Sequence, residues 1–141
     1  MQKPSSGGFG RGTGRRSSGR PKSKALRNPF SESEAEISKK IADFLEIQAN
    51  SGRIWHTRLQ SGLLKTPKGH FVHLCRTGTP DRIAVIGGKA VFFEVKKPSG
   101  RVSVDQAREH ERLRTAGALV FVVRSVAEVQ KIVNELLNDH M

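Results

Sequence analysis

The pair Gly87-Gly88 constrains this chain most. It separates two apolar stretches, residues 82–86 and 89–97, by two positions that accept a left-handed backbone. That is the signal for a tight type I′ hairpin, whose central residues both need positive φ. A two-residue loop fixes the register, so that Ile86 faces Lys89 and Asp81 falls directly opposite Glu94. Opposed residues stand with their Cβ atoms about 4.5–5.5 Å apart on one face. Side chains alternate along a strand, so Lys96 shares the face of Glu94, and Val91, Phe93 and Val95 point the other way into a core.

Two opposed carboxylates repel each other, and neighbours such as Ile83, Val85, Phe92 and Phe93 make charge costly there. On geometry two readings stay open. The pair is either a solvated surface pair, with Glu94 bridged to Lys96 or an Arg, or a hard-oxygen site. In the second reading two carboxylates and a backbone carbonyl suit Mg²⁺, and Lys96 beside them would orient a water or neutralise charge developing on a phosphate.

Charge divides the 141-residue chain in two. Residues 1–29 hold eight of the 25 Lys and Arg and no acid; 17 basic and 13 acidic residues follow from Phe30 onward. The first segment is rich in Gly, Ser and Arg with almost no apolar side chain, so it cannot offset its ordering entropy by burial. It is read as a disordered basic tail, and residues 30–141 as one domain. Arg11, Arg15, Arg16 and Arg20 in the tail suit a phosphate backbone. A net charge of +12 points to nucleic acid before any other partner. One Cys excludes an intrachain disulfide framework and fits a reducing compartment. No apolar run approaches the roughly 18 residues of a membrane span, and the first residues lack a secretory h-region. The expectation is a cytoplasmic, nucleoid-associated protein without a membrane partner.

Hydrophobic spacing predicts a helix over 33–48, a strand over 53–59, a loop over 60–70 and a short strand over 71–75. Beyond the hairpin it predicts a helix over 103–116, a strand over 118–124 and a last helix over 126–137. That order suggests a mixed sheet flanked by helices. Trp55 is read as core. His70, His73 and Cys75 lack a fourth ligand at a recognised spacing, so no zinc site is read there.

The residues around the hairpin resemble a known family. Gly78-Thr79-Pro80-Asp81-Arg82-Ile83 and Val91-Phe92-Phe93-Glu94-Val95-Lys96-Lys97-Pro98 are followed by Ser103-Val104-Asp105-Gln106 and Leu113-Arg114-Thr115-Ala116-Gly117-Ala118. In that order they resemble the VRR-NUC family (virus-type replication-repair nuclease domain) of the PD-(D/E)XK nuclease superfamily, over roughly residues 33–127. The resemblance implies an α/β fold with an αβββαβ restriction-endonuclease-like core. It implies a small phage-type nuclease that hydrolyses phosphodiester bonds with Mg²⁺ or Mn²⁺. Small stand-alone members resemble Holliday-junction resolvases and act as homodimers on branched DNA. Carried over, Asp81 and Glu94 become metal carboxylates, the Val95 carbonyl a further ligand, and Lys96 the residue that positions the attacking water.

Gln106 matches the glutamine that opens the family's second helix, and Ser103-Val104-Asp105-Gln106 is also a capping box; the two roles are compatible. The family places a glutamate on the first helix. Helical phase puts Glu34 inside the stripe of Ile37, Ile41, Phe44 and Leu45 and Glu36 outside it. Glu34 is therefore preferred as catalytic and metal-binding, Glu36 is second, and a capping or dipole role is open for both. Lys65, Lys68 and Lys97 join the tail arginines as candidate DNA contacts. The competing function class is a basic nucleic-acid-binding protein on a nuclease-like scaffold that does not cut. A third option is another exonucleolytic or endonucleolytic activity of the superfamily.

Overall fold

A computed structural model describes residues 2–5, 7, 8 and 31–141. The tail arginines Arg11, Arg15, Arg16 and Arg20 lie outside the described residues. The first element is α1 (Glu34–Asn50), which starts where Ser33 closes a reciprocal capping box with Glu36. Its stripe of Ile37, Ile41 and Leu45 is buried.

Strands β1 (Ile54–Arg58), β2 (Leu63–Lys65), β3 (Phe71–His73), β4 (Arg82–Ile86) and β5 (Lys89–Val95) follow. Helix α2 (Val104–Thr115), strand β6 (Leu119–Val123) and helix α3 (Val126–Asp139) complete the domain. The main sheet has the order β1-β4-β5-β6. Its first three strands are antiparallel, while β6 runs parallel to β5. A parallel neighbour needs a crossover, and α2 is that crossover.

The β4–β5 hairpin has the expected register: Ile86 pairs with Lys89 and Arg82 with Phe93. Gly87 and Gly88 have φ of 56° and 76°, as a type I′ turn requires. Alternation sends Ala84, Ile86, Val91, Phe93 and Val95 to one face, where α1 and α3 bury them. On α3 the inward stripe is Val129, Val133 and Leu136.

Two expectations are corrected. The stretch 60–70 is not all loop, because Leu63–Lys65 pairs with Phe71–His73 in a separate two-stranded ribbon inserted between β1 and β4. Trp55 is not core and is 56% exposed. It alternates onto the opposite face of the sheet, where α2 packs over β6 and leaves the β1 side open.

Candidate active site

The site forms where the β4–β5 hairpin opens away from its turn. Asp81 directly precedes β4, and its carbonyl accepts from Leu59 N–H, which extends the β1 pairing by one residue. Its side chain turns to the neighbouring strand: Asp81 Oδ2 accepts from Val95 N–H at 2.7 Å. Glu94, on β5, lies on the face covered by α2 and is 2% exposed. Lys96 follows two residues later, with Nζ 3.2 Å from Glu94 Oε1.

Helix α2 supplies the other wall. Ser103 and Gln106 close the capping box: Gln106 Oε1 accepts from Ser103 N–H at 2.9 Å. That bond orients the amide, so Gln106 Nε2 donates to Glu94 Oε1 at 2.8 Å. The glutamine thus starts the helix with one atom and holds the buried carboxylate with the other.

The loop before Asp81 is pinned to the same helix start. Gly78 has φ of 83°, and a Cβ there would stand 2.3 Å from the Asp105 carbonyl oxygen. Arg76 Nε reaches Glu109 Oε1 at 3.1 Å, so the loop is also tied one turn further along α2. Gly78→Ala is therefore expected to destabilise the fold by more than about 2 kcal/mol in urea unfolding, from backbone overlap added to left-handed strain. Gly88→Ala, where an added Cβ meets nothing, is expected to cost only about 1–2 kcal/mol.

The two carboxylates differ electrostatically. Burial first, and the Asp81 charge second, push the Glu94 carboxyl up to about 7; Lys96 acts against this and Glu34 adds to it. Glu94 Oε1 is well supplied with donors, whereas Oε2 is buried without a hydrogen-bond partner. His110, 2% exposed, has Nε2 3.6 Å from that oxygen and likewise without a partner. Burial, followed by Arg114 and Lys96, lowers the His110 pKa, and Asp81 acts against them.

Glu34 lines a cleft of about 620 Å³ together with Asp81, Arg82, Arg58, Lys39 and Val95. Glu36 is differently engaged: its Oε2 accepts from Ser33 N–H at 2.6 Å and from Ser33 Oγ at 2.8 Å. Asp81, Glu94, Val95, Lys96, Gln106 and Glu34 are therefore brought to one end of the sheet. Lys65 and Lys68 stand instead on and beside the ribbon, with Lys65 Nζ 5.9 Å from the Phe71 ring centroid, and Lys97 is exposed just beyond β5. Among the described residues no three His, Cys, Asp or Glu side chains converge tightly enough to hold an ion by themselves. The oxygen set here is two opposed carboxylates beside a main-chain carbonyl.

Sequence reading missed His110 and Glu109. They are the only buried residues of α2, so this helix turns a polar face to the sheet. The available signal was position: His110 lies one turn after Gln106, on the same face.

Three antiparallel strands, a crossover helix and a parallel fourth strand, with Asp81, Glu94 and Lys96 at the hairpin mouth, define the PD-(D/E)XK fold. No family model matches the chain. A solved structure titled "VRR_NUC domain" superposes with a TM-score of 0.52 at 28% identity, covering 73% of this chain and 97% of that one. A 56-residue stretch, 39% of this chain, is 43% identical to "Putative nuclease p44" of Acyrthosiphon pisum secondary endosymbiont phage 1. The match spans 60% of that relative's length. By fold and likeness, the chain resembles a small phage-type VRR-NUC nuclease domain.

Proposed function

We propose that the chain is a metal-dependent DNA endonuclease that hydrolyses phosphodiester bonds in branched DNA, with Holliday-junction-resolvase-like specificity. The observation that carries this reading is Glu94: a buried carboxylate, opposed by Asp81, whose second oxygen accepts no hydrogen bond. A fold gains no stability from that arrangement. Both the phage relative and the structural relative carry nuclease or VRR_NUC in their names.

The donor chemistry fits a hard divalent cation. Asp81, Glu94 and the Val95 carbonyl would hold Mg²⁺ or Mn²⁺, with Glu34 as a further carboxylate. A cation held there supplies polarisation of the phosphoryl oxygen and a water of lowered pKa. The chain's own residues prepare the site. Gln106 fixes one oxygen of Glu94, and the other accepts no hydrogen bond. Lys96 favours ionised Glu94 and sets a positive charge beside the place where a nucleophilic water and a negative phosphate meet.

The basic tail would act as an electrostatic arm through Arg11, Arg15, Arg16 and Arg20, and Lys65, Lys68 and Lys97 would add contacts to the backbone. Removal of residues 1–28 is expected to weaken DNA binding. It is also expected to flatten the salt dependence by about 0.7–0.9 in slope for each phosphate that the arm no longer neutralises. An unchanged slope would rule out the arm. Function as a homodimer is part of this reading. The β2–β3 ribbon exposes Leu63, Leu64, Phe71 and Val72, and a two-stranded ribbon is marginal on its own. No helix among the described residues is long and apolar enough to cross a membrane. Action in the cytoplasm of a bacterial or phage-infected cell, at the nucleoid, completes the proposal.

The test is a digest of labelled four-way junction, flap and linear duplex in Mg²⁺ or EDTA. Paired, Mg²⁺-dependent nicks confined to the junction are expected. Cutting of flap or duplex instead would move the enzyme to another nuclease role. Binding without any cut, in Mg²⁺ and then in Mn²⁺, would establish the non-catalytic binding class.

A further inference from the structure

Position 82 lies where the sheet calls for a hydrophobe. Arg82, Ala84 and Ile86 alternate onto the face covered by α1 and α3, and Ala84 and Ile86 are fully buried. Arg82 is itself 8% exposed. Its Nε is buried with no hydrogen-bond partner, and burial first, then Arg58, lower its pKa while Asp81 acts against them. Directly across the β1–β4 ladder stands Arg58. Like charges in that position destabilise a sheet, and a buried N–H without an acceptor destabilises it further.

Both guanidinium-bearing residues line the cleft that holds Glu34, Asp81 and Val95. Asp81 and Glu34 share this cleft, yet neither forms an ion pair or a hydrogen bond with Arg82 or Arg58, and the two arginines stand side by side on one face. A guanidinium fork matches two oxygens of one phosphate, which neither a carboxylate already committed to Val95 N–H nor a water supplies as well. The cleft volume of about 620 Å³ accommodates a nucleotide-sized group.

We infer that Arg82 and Arg58 form a phosphate subsite, which holds a backbone phosphodiester of the DNA strand in the cleft beside Asp81 and Glu34. The inference rests on the nuclease reading of that site and names how the strand is held. It also accounts for an arginine where a core residue would stabilise the fold.

The experiment compares wild type with Arg82→Met, Arg82→Lys and Arg58→Gln. DNA binding is followed by anisotropy of a labelled junction in EDTA over a salt series, cleavage is measured in Mg²⁺, and thermal unfolding is recorded for each protein. Arg82→Met is expected to unfold a few degrees higher, since a desolvated guanidinium with an unbonded Nε, facing a second arginine, is removed. It is expected to bind with a salt slope lower by about 0.9 and to lose about 10- to 100-fold in kcat/KM. Arg58→Gln, at an exposed position, is expected to lower the slope similarly, so the result does not depend on how Arg82 variants fold. Arg82→Lys is expected to recover the slope, since it restores the charge. Wild-type affinity and slope in both Arg82→Met and Arg58→Gln would overturn the subsite while leaving wild-type cleavage, and so the nuclease reading, intact. A wild type that never cuts, with both variants still showing the lower slope, would overturn the nuclease reading and keep the subsite as a DNA contact. If inorganic phosphate raises the melting temperature of wild type but not of Arg82→Met, while both variants bind DNA normally, the pocket belongs to a small anion and the inference fails.

Discussion

Asp81→Asn and Glu94→Gln proteins are expected to bind a DNA junction in EDTA at least as tightly as wild type, and to cleave it in Mg²⁺ at least about 1,000-fold more slowly. The first part follows from charge. Each change removes one negative charge from a face that must approach phosphates, so affinity should hold or rise. The second follows from donor chemistry. An amide in place of a carboxylate keeps shape and one acceptor oxygen but loses the charge that a hard cation requires. In Asp81→Asn the Val95 N–H bond has an acceptor still available, so the fold is not at issue. Single-turnover cleavage with parallel gel-shift measurements checks both parts. Turnover near wild type in both variants would remove Asp81 and Glu94 from the reaction.

The same carboxylate makes the second large prediction, on stability. Glu94 is held up at about 7 against its ordinary 4.5. The folded protein therefore keeps a proton there that the unfolded chain releases. Stability from this group is fully present below pH 4.5, and is lost as pH rises from 4.5 to about 7. By linkage the loss is about 3 kcal/mol across that window. His110 acts in the opposite sense: its lowered pKa means that a fall in pH below its ordinary 6.5 costs stability. The wild-type curve mixes the two. The difference between Glu94→Gln and wild type isolates Glu94, because a glutamine is neutral throughout. In EDTA, that difference is expected to be near zero at about pH 4.5 and to favour the variant by about 3 kcal/mol above about pH 7. Urea unfolding at a series of pH values checks it. A difference that does not grow with pH would mean that Glu94 is not destabilised by burial.

These two predictions describe one trade: a carboxylate kept where it harms the apo fold and serves the site. Arg82 repeats the pattern on the other face of the sheet. In both cases a charged residue occupies a buried strand position, next to residues that pack as core.

Some of this was legible in the sequence because local rules act alone there. Two glycines determine a turn type, the turn determines a register, and the register places Asp81 against Glu94 before any tertiary contact is known. The two capping boxes are equally local, and so is the apolar stripe of α3. Gln106 was open between capping and the site, and its amide does both, since one atom faces each way.

What stayed hidden depends on what packs over what. Trp55 has a core residue's chemistry, but α2 covers only the β6 side of its face. Leu63–Lys65 is three residues long beside Gly62 and Pro67, too short for alternation to show a strand. His110 and Glu109 lie on a helix without an apolar stripe, so periodicity had nothing to find. Arg82 reads as an ordinary strand cation until α1 is laid over it.

If the Asp81–Glu94 pair is kept for a divalent cation, the protein takes up that cation without DNA. The most direct measurement is electron paramagnetic resonance of free Mn²⁺ during titration into the protein without DNA, for wild type and for Asp81→Asn and Glu94→Gln. Wild type is expected to remove Mn²⁺ from the free signal, and each variant to leave it in solution. Equal uptake by all three proteins would contradict the assignment of these carboxylates, whatever the chain then does to DNA.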